Sequence, residues 1–258
     1  MLGDAKPDAV RDGPLRDLVE ESLRLLGAAA EAGVPLRLMG GLAVRLHSVP
    51  AVHPALERAF GDIDFVTLRN KGPEASALIE SLGYEGHRVF NTINAGRRAK
   101  FYDEAHQRKL DLFIGTFEMC HVIPITDRIE LEPSTIPLAE LLVTKLQVVN
   151  LTEKDQRDVL ALLYEHKVAA GDAETINADY VARLCAEDWG LWRTVKLNVE
   201  RILSAIGAYA LSAEERQVIE GRLGALWERI ELEPKSRAWR LRNRVGDRKR
   251  WYDEPEEE

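Results

Sequence analysis

The chain has only two cysteines, Cys120 and Cys185, in 258 residues. Two thiols so far apart give neither a disulfide framework nor a metal-ligand spacing, which suits a reducing interior. Nowhere does the sequence approach the roughly 18 consecutive apolar residues of a membrane span. The opening residues Met1 to Asp8 lack the basic stretch and apolar run of a secretory signal, so the expected location is the cytoplasm and no membrane partner is expected. There is no internal repeat. The only low-complexity tract is the closing run from Asp253 to Glu258. With 45% hydrophobic and 30% charged residues, the composition is that of an ordinary soluble globular protein. A net charge of −8 argues against a uniformly basic nucleic-acid binder, yet the charge is unevenly spread. Residues 235–250 carry eight Lys/Arg and one Asp, and the last eight residues carry five acids.

What the chain does have is organised around Gly61-Asp62-Ile63-Asp64-Phe65-Val66. The short apolar run reads as a buried strand. Successive strand side chains point to opposite faces, so Asp62 and Asp64 project the same way, roughly 7 Å apart. Two carboxylates on one face of an apolar strand repel each other and are costly to desolvate. A divalent cation compensates them, since carboxylate oxygens are preferred ligands of Mg²⁺; a strand end whose acids face water is the alternative. Upstream, residues 36–48 read as a strand, a Gly40-Gly41 turn and a helix, a geometry that brings backbone N–H groups to a phosphate. Downstream, residues 108–114 read as a second apolar strand carrying one acid, Asp111.

These motifs, in this order, resemble the nucleotidyltransferase superfamily that shares the fold of DNA polymerase beta. The likeness spans roughly residues 34–166. It is greatest to abortive-infection and minimal nucleotidyltransferases of toxin–antitoxin systems and to antibiotic-modifying nucleotidyltransferases. The matching positions are Gly40 and Gly41 for the turn, Asp62 and Asp64 for the DxD strand, and Asp111 for the later acid. Many active members carry Ser where this chain has Gly41. The resemblance implies an α+β fold, a mixed sheet flanked by helices. It also implies Mg²⁺ (or Mn²⁺) held by Asp62, Asp64 and Asp111, and an NTP whose phosphates meet Gly40, Gly41 and Lys145. The acceptor would be a hydroxyl of RNA, such as a tRNA end, or of a small molecule such as an antibiotic, and an antitoxin protein is an implied partner. A non-catalytic nucleotidyltransferase-fold protein that binds a nucleotide or a partner is the other class this pattern allows.

Along the chain, residues 1–13 read as a loose leader and Pro14 to Ala32 as a helix, together an N-terminal segment over 1–33. A catalytic domain is expected over 34–170, an all-α C-terminal region over 171–250 and an acidic disordered tail over 251–258. Arg58, four residues before Asp62, pairs with a metal-site carboxylate, contacts a phosphate or is simply solvated. Strands are expected over Tyr84–Phe90, Arg97–Tyr102 and near Asp127–Leu131. Arg98 and Lys100 share a strand face and either reach the substrates or face water. Cys120 and His121 have no partner at suitable spacing and read as packing residues. Pro137 opens a helix that places Lys145 on an otherwise apolar face, where it either snorkels to the surface or points into a site. Thr152 and Asp155 form a near capping box on the next helix, where Asp158 either orients the lysine helix or is a dipole-favoured acid. Residues 171–177 read as a linker and helices as lying near 177–188, 190–208, 212–231 and 235–250. In the last of these, Arg237, Arg240, Arg244 and Arg248 recur at i+3 and i+4 intervals, a stripe that either follows an RNA backbone or pairs with the acidic body.

Overall fold

The computed structural model describes residues 13–48 and 51–254, so most of the leader, Val49, Pro50 and the last four residues lie outside it. The chain is α+β. Helix α1 (Leu18–Glu31) starts where the Asp17 carboxylate accepts from the N–H groups of Val19 and Glu20, and it buries Leu25, Leu26 and Ala29. Strand β1 (Leu36–Met39) leads directly into α2 (Gly40–His47). Then come β2 (Asp62–Thr67), α3 (Gly72–Ser81), β3 (Glu85–Gly86), α4 (Arg88–Ile93), β4 (Arg98–Asp103) and β5 (Arg108–Ile114). A two-residue hairpin of β6 (Phe117–Glu118) and β7 (Val122–Ile123) precedes α5 (Leu138–Leu146) and α6 (Glu153–Glu165). Strands β8 (Lys167–Ala169) and β9 (Thr175–Asn177) pair in parallel. Four helices follow: α7 (Ala178–Glu187), α8 (Trp189–Ala205), α9 (Ala213–Leu232) and α10 (Arg237–Val245).

The main sheet has the order β1-β2-β5-β4-β3, with β2 and β5 parallel and the other neighbours antiparallel. Ile63, Phe65, Leu110 and Leu112 are fully buried, which explains why β2 and β5 read as apolar runs. One continuous core links the sheet to the C-terminal helices, from Leu25 through Leu142 and Leu163 to Ile219 and Trp239.

Several elements differ from the sequence expectation. The strand expected over Tyr84–Phe90 shrinks to Glu85–Gly86, and α4 replaces the rest. The His87 ring accepts from the Phe90 N–H at the helix start. Asn91 then takes the place of a strand residue: its side-chain oxygen accepts from the Lys100 N–H at 2.7 Å and its NH2 donates to the Lys100 carbonyl at 3.1 Å. The strand expected near Asp127–Leu131 is a 3-10 turn over Ile129–Leu131. Arg128 just before it is drawn inward to Glu140 and Asp172 and lies 3.8 Å from the Tyr180 ring centre. Part of the expected linker is strand β9. The helix expected over 235–250 ends at Val245, before Gly246 at φ +60°. The start of the expected disordered tail is packed: Trp251 Nε1 donates to Thr194 Oγ1 at 3.1 Å.

Candidate active site

The register of β2 and β5 decides where the acids go. Asp64 is the direct partner of Asp111 on neighbouring parallel strands, and Asp62 lies two residues along β2. Paired residues of a ladder point to one face, so all three carboxylates share it. Met39 on β1 pairs with Asp64 on the other side of β2, so the turn into α2 begins beside that carboxylate. Gly40 has φ +68°, and a side chain there would run into the Asp64 carboxylate. Glycine is required twice over, for its backbone conformation and for the closeness of the acid.

Asp62 is exposed, Asp64 half-buried and Asp111 buried. Burial, then the like charges of Asp62 and Asp111, push the Asp64 carboxyl up to about 7, against the pull of Lys145 and Arg98. Asp111 has a cationic partner, since Arg98 Nε donates to its Oδ1 at 3.1 Å. The Arg98 guanidinium also lies over the Phe113 ring at 4.8 Å, which fixes it against the sheet. Lys100, the register partner of Asp111 on β4, has its ammonium over Phe90 at 4.6 Å.

A second set of charges lies on the α5–α6 side. Lys145 Nζ is 2.9 Å from Asp158 Oδ2 and 3.6 Å from Asp155 Oδ1. Burial works against the lysine's charge, but the two acids outweigh it and raise its pKa. Asp158 is gripped from its other side by Arg58, with Nε to Oδ1 at 2.7 Å and Nη2 to Oδ2 at 2.8 Å. Burial alone would raise the Asp158 pKa, but Lys145 and Arg58 bring it below the usual range. Asp158 therefore ties the lysine helix to the loop before β2, while Asp155 also completes the capping box with Thr152. Arg58 is neither solvated nor paired with Asp62, Asp64 or Asp111: its side chain is 13% exposed and stacks over Phe60 at 4.6 Å. Its guanidinium lies against Gly41, so any side chain at that position would overlap it. That contact, with the Phe60 ring beside it, leaves no space for a side chain at position 41.

The four arginines proposed for RNA occupy a different element. Arg237, Arg240 and Arg244 are exposed on α10, and Arg248 sits on the 3-10 turn after Gly246, so the stripe is interrupted. Among the described residues none of these four makes an ion pair with the acidic body. Their neighbour Arg242 turns inward, donating to the carbonyls of Gly246 and Lys249 and lying over Trp189 at 4.1 Å. His121 and Cys120 are buried in packing positions, His121 within reach of Thr194 Oγ1 at 2.8 Å.

Carboxylate oxygens alone make a donor set that suits a hard divalent cation such as Mg²⁺ or Mn²⁺. Among the described residues, however, no three His, Cys, Asp or Glu side chains are grouped closely enough to hold a metal ion. Sequence reasoning did not find the long-range partnership of Arg58 and Asp158, which are 100 residues apart, nor the aromatic seats Phe60 and Phe113. The apolar residue two positions after Arg58 was the available signal for the first. Compared with known proteins, the chain matches no family model, and no curated protein matches it either. Among the described residues no helix is long and apolar enough to cross a membrane.

Proposed function

We propose that the chain is a Mg²⁺-dependent nucleotidyltransferase that moves an NMP from an NTP to an acceptor hydroxyl. The observation that carries this reading is the Asp64–Asp111 register pair, with Asp62 on the same face and the Gly40 turn against Asp64. Asp62, Asp64 and Asp111 would hold the cation. When bound, it lowers the pKa of an attacking hydroxyl and neutralises charge on the transferred phosphoryl group. The backbone N–H groups at the start of α2 would bind phosphate oxygens, helped by the positive end of the helix dipole. Lys145 would add a buried positive charge to that end of the site, positioned by Asp158. Arg98, paired with Asp111 from the β4 side, would hold that carboxylate in place. A cytoplasmic protein acting on RNA or on a small hydroxylated molecule, alone or with an antitoxin, is the setting this chemistry suits.

The salt bridge between Arg98 and Asp111 favours a second reading: a non-catalytic protein that binds a nucleotide or partner at the same turn. One experiment separates the two. Incubation with radiolabelled NTPs, Mg²⁺, total RNA and a panel of hydroxylated small molecules should give a labelled product with the wild type. Asp64→Asn should lower the yield by on the order of a thousandfold. NTP binding without any labelled product would favour the second reading.

A further inference from the structure

The last described residues of the chain line a cleft beside the candidate site. The Trp251 ring meets Trp189 edge-on at 6.3 Å and Tyr252 at 5.4 Å, and its indole N–H reaches Thr194. The Asp253 N–H then donates to the Cys120 carbonyl at 3.0 Å. Anchored in this way, Asp253 and Glu254 line a cleft of about 190 Å³ together with Arg97, Arg98, Phe113 and Glu118. This is the same Arg98 that holds Asp111, so the cleft adjoins the candidate catalytic face.

The charges of the cleft do not balance. Three carboxylates, Glu118, Asp253 and Glu254, meet two guanidinium groups, and Arg98 is already committed to Asp111. Arg250 offsets Glu254 at 2.8 Å, so with Arg98 committed the cleft keeps one carboxylate more than its free guanidinium groups balance. Arg97 is exposed, and its guanidinium donates to the Asn94 side-chain oxygen at 3.4 Å. Fixed charges on the walls of a cleft act on an entering ion far more strongly than the same charges on an open surface.

We propose that Asp253 and Glu254 are specificity-determining residues of this cleft, whose charge discriminates against phosphate-rich ligands on the Asp111 side of the site. The inference rests on the transferase reading only for the name of that ligand, the acceptor; the charge selection itself is a binding property. An acceptor of low negative charge would enter more readily than a polyphosphate or the end of a nucleic acid.

The test is calorimetric titration of inorganic tripolyphosphate into the full chain and three variants, without nucleotide. The variants are Asp253→Asn with Glu254→Gln, a chain ending at Tyr252, and the first pair combined with Arg97→Ala. The neutralised and shortened chains should bind tripolyphosphate on the order of tenfold more tightly at low ionic strength. That gain should vanish at about 1 M salt, where the screening length falls to roughly 3 Å, and should also vanish in the Arg97→Ala combination. Equal affinity of wild type and neutralised chain overturns the proposal, as does a gain that survives Arg97→Ala, because the anion would then be bound elsewhere. The readout needs no turnover. A protein that transfers no nucleotide yet shows the gain loses the transferase reading and keeps this one.

Discussion

Asp64 and Asp111 are register partners on adjacent parallel strands, and only Asp111 has an arginine to neutralise it. This asymmetry places the electrostatic strain of the site on Asp64, the acid that touches the Gly40 turn. Its carboxyl is pushed up to about 7, foremost by burial. The folded state therefore keeps a proton that the unfolded chain, with an ordinary carboxylate, gives up near pH 4. Stability from this group is full below that value and is lost as pH rises toward 7. Asp64→Asn should flatten this part of the stability–pH curve and melt above the wild type at pH 8. Mg²⁺ should raise the wild-type melting temperature more at pH 8 than at pH 5, because protons compete for the same oxygens. Thermal melts at both pH values, with and without Mg²⁺, check both expectations.

The second prediction concerns the buried bridge between Lys145 and Arg58. Asp158, with a side chain only 4% exposed, holds both cations. Asp158→Ala would leave two like charges facing each other in a poorly solvated place. The expected cost is about 3–5 kcal/mol. Because the Asp158 pKa is depressed, its stabilisation is present above the usual carboxylate range and is lost as pH falls through the lowered value. Denaturant titrations should show the difference between wild type and variant shrinking on acidification. An unchanged midpoint at neutral pH would mean that the bridge contributes nothing to folding.

These two clusters also show what the sequence made legible. Strands β2 and β5 and the turn into α2 were readable because each is a short local pattern: an apolar run with one or two acids, or a glycine pair before a helix. Helices α5 and α6 were readable from their apolar spacing and the Thr152–Asp155 cap. Helix α4 was not, because the force that replaces a strand there is a side chain, Asn91, copying backbone hydrogen bonds to Lys100. The role of Arg58 was hidden for a different reason. Its partner lies 100 residues away, and no local spacing encodes an ion pair closed by the tertiary fold. The acidic end of the chain misled by composition, since Trp251 supplies the apolar anchor that a charge count overlooks.

Gly41 and Arg58 should be energetically coupled. The guanidinium held by Asp158 fills the space a side chain at position 41 would need, so Gly41→Ser should destabilise by about 1–3 kcal/mol through overpacking. In an Arg58→Ala background the same change should cost clearly less, since only the edge of the Phe60 ring at 3.1 Å still crowds that position. A double-mutant cycle read from denaturant midpoints measures this coupling. Equal costs of Gly41→Ser in the two backgrounds would show that Arg58 moves aside freely and does not decide the residue at the turn.

The exposed arginines of α10 make the last prediction. Arg237, Arg240 and Arg244 stand on the helix and Arg248 just beyond it, all solvent-facing and none paired with an acid among the described residues. Arginines serving only to balance the acidic body would have been drawn to its carboxylates, as Arg128 is to Glu140 at 2.7 Å. These four are instead available to a phosphate backbone. Filter binding of tRNA should show affinity falling with salt, with a log–log slope of about −0.7 per phosphate contact for single-stranded segments. Changing all four to alanine should weaken binding at low salt and make the slope shallower, with the fold intact because none of the four is buried. Partial loss is expected from Arg248→Ala alone, since Gly246 separates that residue from the helix. Identical weak binding by wild type and quadruple variant across the salt series would remove RNA from the partners of this surface and leave a small hydroxylated molecule as the acceptor.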